Sequence, residues 1–263
     1  MATDGSRDRV NGMLEKERYV LNSVSIAFPK HPDVRRRAND FEDKLKARLE
    51  GHYSQPEVIP VPDELNEQIP RIIFGSKHGF SQILISQVNL IFNVSYSTDW
   101  QEDAQKCKQY LRERLPVLFE LLEILGDTKP FFCGLTTKAR LASKDEDSEI
   151  LAHFAGAFLK NMYTQDTYDV ELKAAHVMDS RFFSNVLVQN YRVWKLAEGQ
   201  QFRPLPRKSA VERGIEVIGD FNDRYSFNER NDYWSDASVA LEILDMGFNE
   251  VDKMVRELRG SST

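Results

Sequence analysis

The segment FSQILISQVNLIFNVSYSTDW, residues 80–100, reads as two strands followed by the start of a helix. Phe80–Tyr96 has strand character and is expected to divide near Gln87-Val88-Asn89. Ser97 or Asp99 then supplies an N-cap, and the helix runs from about Trp100 to Leu125, with Pro116 a kink point and Gly126 the stop. Consecutive strands of this kind favour an antiparallel sheet with helices on one face.

Upstream, Tyr19–Phe28 alternates and is rich in β-branched and aromatic residues, which marks a strand ended by Pro29 and Pro32. Val34–Leu49 is an amphipathic helix. Short strands are expected at Val58–Val61 and Arg71–Phe74, with a turn at Gly75–Gly79. Downstream, Pro130–Leu141 reads as a strand. Asp145–Met162 reads as a helix with Ile150, Leu151, Phe154, Phe158 and Leu159 on one side. Strands follow at Tyr168–Met178, Phe182–Leu196 and Gly214–Phe227, with a loop at Arg203–Lys208 and a turn at Asn228–Asp232. Ser235 or Asp236 caps a last helix to about Leu258.

Strand, helix, several antiparallel strands and long helix therefore occur twice. The fold class expected is α+β, a duplicated unit with halves at 15–127 and 128–260 in one globule, flanked by flexible tails at 1–14 and 259–263. A continuous curved sheet gripping long helices, as in the TATA-binding-protein class of folds, fits this order by analogy alone.

Bulk properties narrow the function classes. The chain has 263 residues, 41 % hydrophobic and 29 % charged, which is a globular composition able to bury a sizeable core. A net charge of −6 gives no global attraction to nucleic acid or anionic membranes. The two cysteines, Cys107 and Cys133, fit neither a zinc motif nor a disulfide scaffold, so a reducing cytoplasm is expected. The start, MATDGSRDRV, has no apolar signal-peptide core, and no apolar run reaches membrane-spanning length.

A longer stretch, QIPRIIFGSKHGFSQILISQVNLIFNVSYSTDW (68–100), combines an Ile-Pro before a strand, a Ser-x-x-Gly turn, a long strand near an Asn, and Tyr96 and Trp100 leading into a helix. It resembles a family of sporadically distributed prokaryotic proteins often encoded near mobile or defence loci. The opening strand and the closing GIEVIGDFNDRYSF segment with its helix are similar in placement. The resemblance implies a bacterial origin and a role in phage defence. It implies no catalytic residue.

Several residue sets invite chemistry. In Glu171-Leu172-Lys173 the acid and the lysine share a strand face with Asp169, as in the metal-and-water half of many nucleases. Such a site needs a second carboxylate to hold Mg²⁺; Asp166 and the helix-start acids Asp145, Asp147 and Glu149 lie upstream, none where a paired strand would put it. The ordinary reading is the wet face of an amphipathic strand. Arg203, Arg207 and Lys208 near Trp194 and Phe202 combine basic and aromatic side chains suited to single-stranded nucleic acid, against the net charge. GDFNDRYSFNERNDYW (219–234) lacks the ligand spacing of a calcium loop and is expected to be a hairpin turn. His176 falls on the apolar face of its strand and is expected in the core. The basic residues of 35–48 alternate with acids as on a salt-bridged helix face.

The helix at 100–125 is apolar nearly all round in its second half, so Leu118, Phe119 and Leu122 meet either the core or a partner chain. The expectation is a non-enzymatic cytoplasmic interaction subunit acting through protein–protein contacts, with a protein partner or a homo-oligomer, no membrane and no cofactor. The alternatives are a Mg-dependent nuclease using Glu171 and Lys173 with Asp169, and a single-strand-binding module.

Overall fold

The computed structural model describes residues 13–158, 167–195 and 205–260. The chain forms β1 (Arg18–Ala27), α1 (Ala38–Arg48), β2 (Glu57–Val58), β3 (Ile72–Gly75), β4 (Ser81–Ile85), β5 (Asn89–Ser95), α2 (Thr98–Gln101) and α3 (Ala104–Leu122). Then come β6 (Phe132–Ala142), α4 (Asp147–Phe158), β7 (Glu171–Met178), β8 (Phe182–Val193), β9 (Glu212–Asn222), α5 (Arg224–Glu229) and α6 (Ala237–Leu258). The fold is α+β.

The nine strands make one antiparallel sheet in the order β2-β3-β4-β5-β1-β6-β9-β8-β7. Outward from the β1–β6 seam, β5, β4 and β3 follow on one side and β9, β8 and β7 on the other. Alternation sorts the side chains. Tyr19, Val24 and Ile26 of β1, Leu90, Phe92 and Val94 of β5, and Ile215, Val217 and Phe221 of β9 point to one face and are buried. Helices α3 and α6 lie on that face over β1, β6 and β9, α1 packs beside α3, and α4 lies over β8 and β9. The Phe221 ring fills the gap between strand and helix. A Cβ at Gly219 would stand 2.3 Å from it and one at Gly247 of α6 2.8 Å from it, so both positions need glycine for the layers to close.

The strand pair inside 80–96 divides as its sequence implies, at Ser86–Val88, where the Ser86 hydroxyl accepts from the Val88 and Asn89 amides. Asp236 caps α6, accepting from Ser238 N and Val239 N. The helix expected over 100–125 is broken after Gln101, and Asp103 caps the second piece by accepting from Lys106 N at 2.9 Å. α3 then runs through Pro116.

Four expectations are corrected. The strand expected to reach Phe227 stops at Asn222, and Arg224–Glu229 is helix, so 219–234 is not a hairpin. Asp223 causes the break: it is fully buried, and its carboxylate accepts from Cys133 N at 2.7 Å and from the Tyr233 hydroxyl at 2.7 Å. Second, β2 ends at Val58: Ile59 N still donates to Arg71 O, but Val61 N turns back onto Ile59 O and leaves the ladder. Third, Leu14 and Arg259 are anchored rather than part of loose tails: Leu14 bridges Ser143, and Arg259 pairs with Glu17 at 2.9 Å. Fourth, Leu118 and Leu122 are each 1 % exposed and Phe119 packs against the core. The sheet, α1 and α6 pack around α3, so of the two alternatives these side chains meet the protein's own interior.

Candidate interaction surface

β7 occupies one end of the sheet, and among the described residues it pairs with β8 alone. Asn190 N donates to Val170 O at 3.3 Å, and the register continues Glu171↔Gln189 through Met178↔Phe182. Even-numbered residues therefore turn their backbone groups to β8. Glu171, Lys173, Ala175 and Val177 turn their N–H and C=O groups outward. Six of the eight residues of β7 are exposed, and Leu172 and Met178 are half-buried. The strand contains no proline and no bulge, two common ways of blunting an edge.

Beside this edge, on the helix side, lies a cavity of about 510 Å³. Val186 and Val188 of β8 form its floor, Leu172, His176 and Met178 of β7 one wall, and Met254 of α6 the other, with Glu250, Lys253 and Glu257 at the rim. A chain added to β7 would place alternate side chains next to this space. His176, expected in the core, is exposed here, because among the described residues no helix covers the outer end of β7.

Glu171 and Lys173 are exposed on the sheet face opposite the helices. Asp169, expected beside them, lies before the strand and is drawn elsewhere. It accepts from Arg192 at 2.7 Å and from Asn190 at 2.9 Å, and these cations and amides outweigh its burial to hold its carboxyl below the usual range. Arg192 also binds Asp147 of α4 at 2.6 Å, which removes that helix-start acid from any shared site with Glu171. Among the described residues no three His, Cys, Asp or Glu side chains are grouped so as to hold a metal ion.

Two members of the basic–aromatic set, Trp194 and Arg207, are held locally. Trp194 Nε1 donates to Pro206 O at 3.1 Å, the Arg207 guanidinium stacks 3.5 Å from the centre of the Tyr168 ring, and Lys208 is exposed. Arg203 and Phe202 lie outside the described residues. On α1 and the turn before it, Arg35, Arg36, Arg37, Lys44, Lys46 and Arg48 are all ion-paired, as their interleaving with acids implies.

The sheet face away from the helices carries an ion network that joins four strands. Glu216 of β9 is 2 % exposed and accepts from Arg140 at 2.8 Å and Gln189 at 3.0 Å, with Lys138 at 3.2 Å. Burial would raise its pKa, but these partners outweigh it and hold the carboxyl below its ordinary range. Glu212 accepts from Arg18 at 2.7 Å and from the Tyr191 hydroxyl at 2.8 Å, and is likewise lowered. Each acid is met by cations, so the network joins strands and offers no free base. The two thiols are no better placed for chemistry. Burial pushes Cys107 up to about 12 and raises Cys133 well above its ordinary value, so neither is a thiolate at neutral pH.

Comparison with models of known protein families and with curated protein sequences finds no match to this chain. Among the described residues no helix is long and apolar enough to cross a membrane.

Proposed function

We propose that this chain is a non-enzymatic interaction subunit that binds another polypeptide by strand addition at β7. The observation that carries the reading is the open edge. Glu171, Lys173, Ala175 and Val177 present their backbone groups outward over an eight-residue strand beside a cavity of about 510 Å³. Main-chain hydrogen bonds would supply affinity, and the cavity would select every second side chain of the incoming segment. The subunit acts in the cytoplasm. The resemblance carried by residues 68–100 extends the proposal to a bacterial phage-defence system, with the partner one of its components.

The nuclease and single-strand-binding readings have less support. Asp169 and Asp147 are both committed to Arg192, and Arg207 and Trp194 are held by Tyr168 and Pro206. The test compares wild type with Ala175→Pro, which removes an outward N–H. A partner retained from a native-host lysate by wild type, lost with Ala175→Pro and protecting the β7 amides from hydrogen exchange supports the proposal. A partner held equally by both overturns it.

A further inference from the structure

The occupant of the β7 edge can be inferred from the charges that the strand carries. We propose that it is a second copy of this chain, paired antiparallel through β7 about a two-fold axis at Leu172, with Glu171 of each copy opposite Lys173 of the other. This inference rests on the strand-addition reading and names its partner.

Geometry restricts the possible registers to a few. Residues directly opposite on antiparallel strands point to the same face. Continuing both the helix side and the opposite face across the axis therefore pairs odd residues with odd and even with even. A two-fold then passes through a residue, and each choice has its own charge pattern.

Centred on Glu171, the strand sets Glu171 against Glu171. Centred on Lys173, it sets Lys173 against Lys173. Centred on Ala174, it sets Glu171 against Val177 and Lys173 against Ala175. Centred on Ala175, it brings Glu171 opposite Asp179. Like charges directly opposite destabilise a pair, and the Ala174 register leaves both charges without a counter-ion. Registers displaced further toward the turn run into Asp179 and Ser180, both at φ 51, where the extended backbone ends.

Centred on Leu172, the strand sets Glu171 against Lys173 twice, one pair on each side of the axis. Both residues turn their backbone groups outward, so these are the hydrogen-bonded positions of the new ladder. Leu172 then meets Leu172 of the second copy on the helix side, extending the apolar wall of the cavity. Glu171 and Lys173 are both exposed, and among the described residues neither side chain has a hydrogen bond or ion pair. The same two charges deter pairing with unmatched strands. The acid-x-lysine triplet is in this view a registration mark for self-pairing, and the interface is isologous.

The test measures self-association by sedimentation velocity over a concentration series. Wild type is expected to dimerise. Glu171→Lys and Lys173→Glu each replace both complementary pairs by like-charge pairs and should each weaken the dimer by about tenfold or more. The double variant Glu171→Lys/Lys173→Glu restores complementarity and should dimerise as wild type does. Mixing the two single variants should yield a heterodimer, since one copy then carries two lysines and the other two glutamates. A monomeric wild type overturns self-pairing. If a host partner is still lost with Ala175→Pro, the strand-addition reading survives that result. A dimer indifferent to the single reversals, or one not rescued in the double variant, overturns the Leu172 register.

Discussion

β2 and β7 stand at the two ends of one sheet, and the chain treats their backbones in opposite ways. β2 has two residues, Glu57 and Val58, set between Pro56 and Pro60. Beyond it, residues 62–69 fold back around Arg71, which is fully buried and donates to the carbonyls of Ile69 at 2.8 Å, Leu65 at 3.3 Å, and Pro62 and Asn66 at 3.4 Å. β7 has eight residues and no proline, and six of the eight are exposed among the described residues. A short strand, prolines and a gathered loop close an edge to further pairing. The difference teaches that this fold can close an edge, and that the one left open is furnished with a cavity and two complementary charges.

The largest expected effect comes from opening the closed end. Arg71→Ala leaves the carbonyls of the 62–69 loop without their donor and should cost about 3 kcal/mol in urea unfolding. The amides of β2 and β3 should also lose protection from hydrogen exchange. A cost under about 1 kcal/mol would mean that the prolines alone close the edge.

Acid should act on the other half of the sheet. Glu212, Glu216 and Asp169, on or beside β9 and β7, have lowered carboxyl pKa values, because hydrogen bonds and cations outweigh burial. A depressed folded pKa stabilises fully above the unfolded value, roughly 4, and that contribution is lost as pH falls through the folded pKa. Asp223 runs the other way. Burial raises its pKa, so falling pH protonates it in the folded state first and relieves a strain present at neutral pH. Between pH 7 and acid, wild type should lose its stability advantage over Glu216→Gln, measured as the gap between their urea midpoints. A gap independent of pH would show that the Glu216 network contributes no charge-dependent stability.

The smallest expected effects on folding lie at the open edge. Ala175→Pro, and either charge reversal at Glu171 or Lys173, should change monomer stability by less than about 1 kcal/mol, because the altered groups face outward. A larger loss in thermal unfolding of the monomer would show that β7 is held by contacts beyond its pairing with β8, and would blunt the contrast between the two edges.

Much of the architecture was legible because it is local. Alternation in 19–28 and 80–96, the Asp236 cap and the Gly126 stop (φ 85) depend on near neighbours in the chain. The break at Asp223 was not legible, since an Asn/Asp-rich stretch reads as turn chemistry, and nothing local shows that this carboxylate accepts from a backbone amide 90 residues away. Arg71 reads in sequence as the start of a strand, and its burial arises from carbonyls that only the folded loop assembles. The exposure of His176 escapes the sequence for a similar reason. Alternation assigns a side chain to a face, while burial needs something to cover that face.

By itself, the sequence determined the α+β class, most element positions and the shared polar face of Glu171 and Lys173, because periodicities of two and of 3.6 residues follow from backbone geometry. Only the tertiary structure decided that β7 is an edge, that Asp169 and Asp147 are taken by Arg192, and that the apolar circumference of α3 is filled from within. An edge strand and an inner strand with one wet face alternate alike. Which of them is left unpaired depends on the order in which distant strands meet: β9 inserts between β6 and β8, and β7 is left at the end of the sheet.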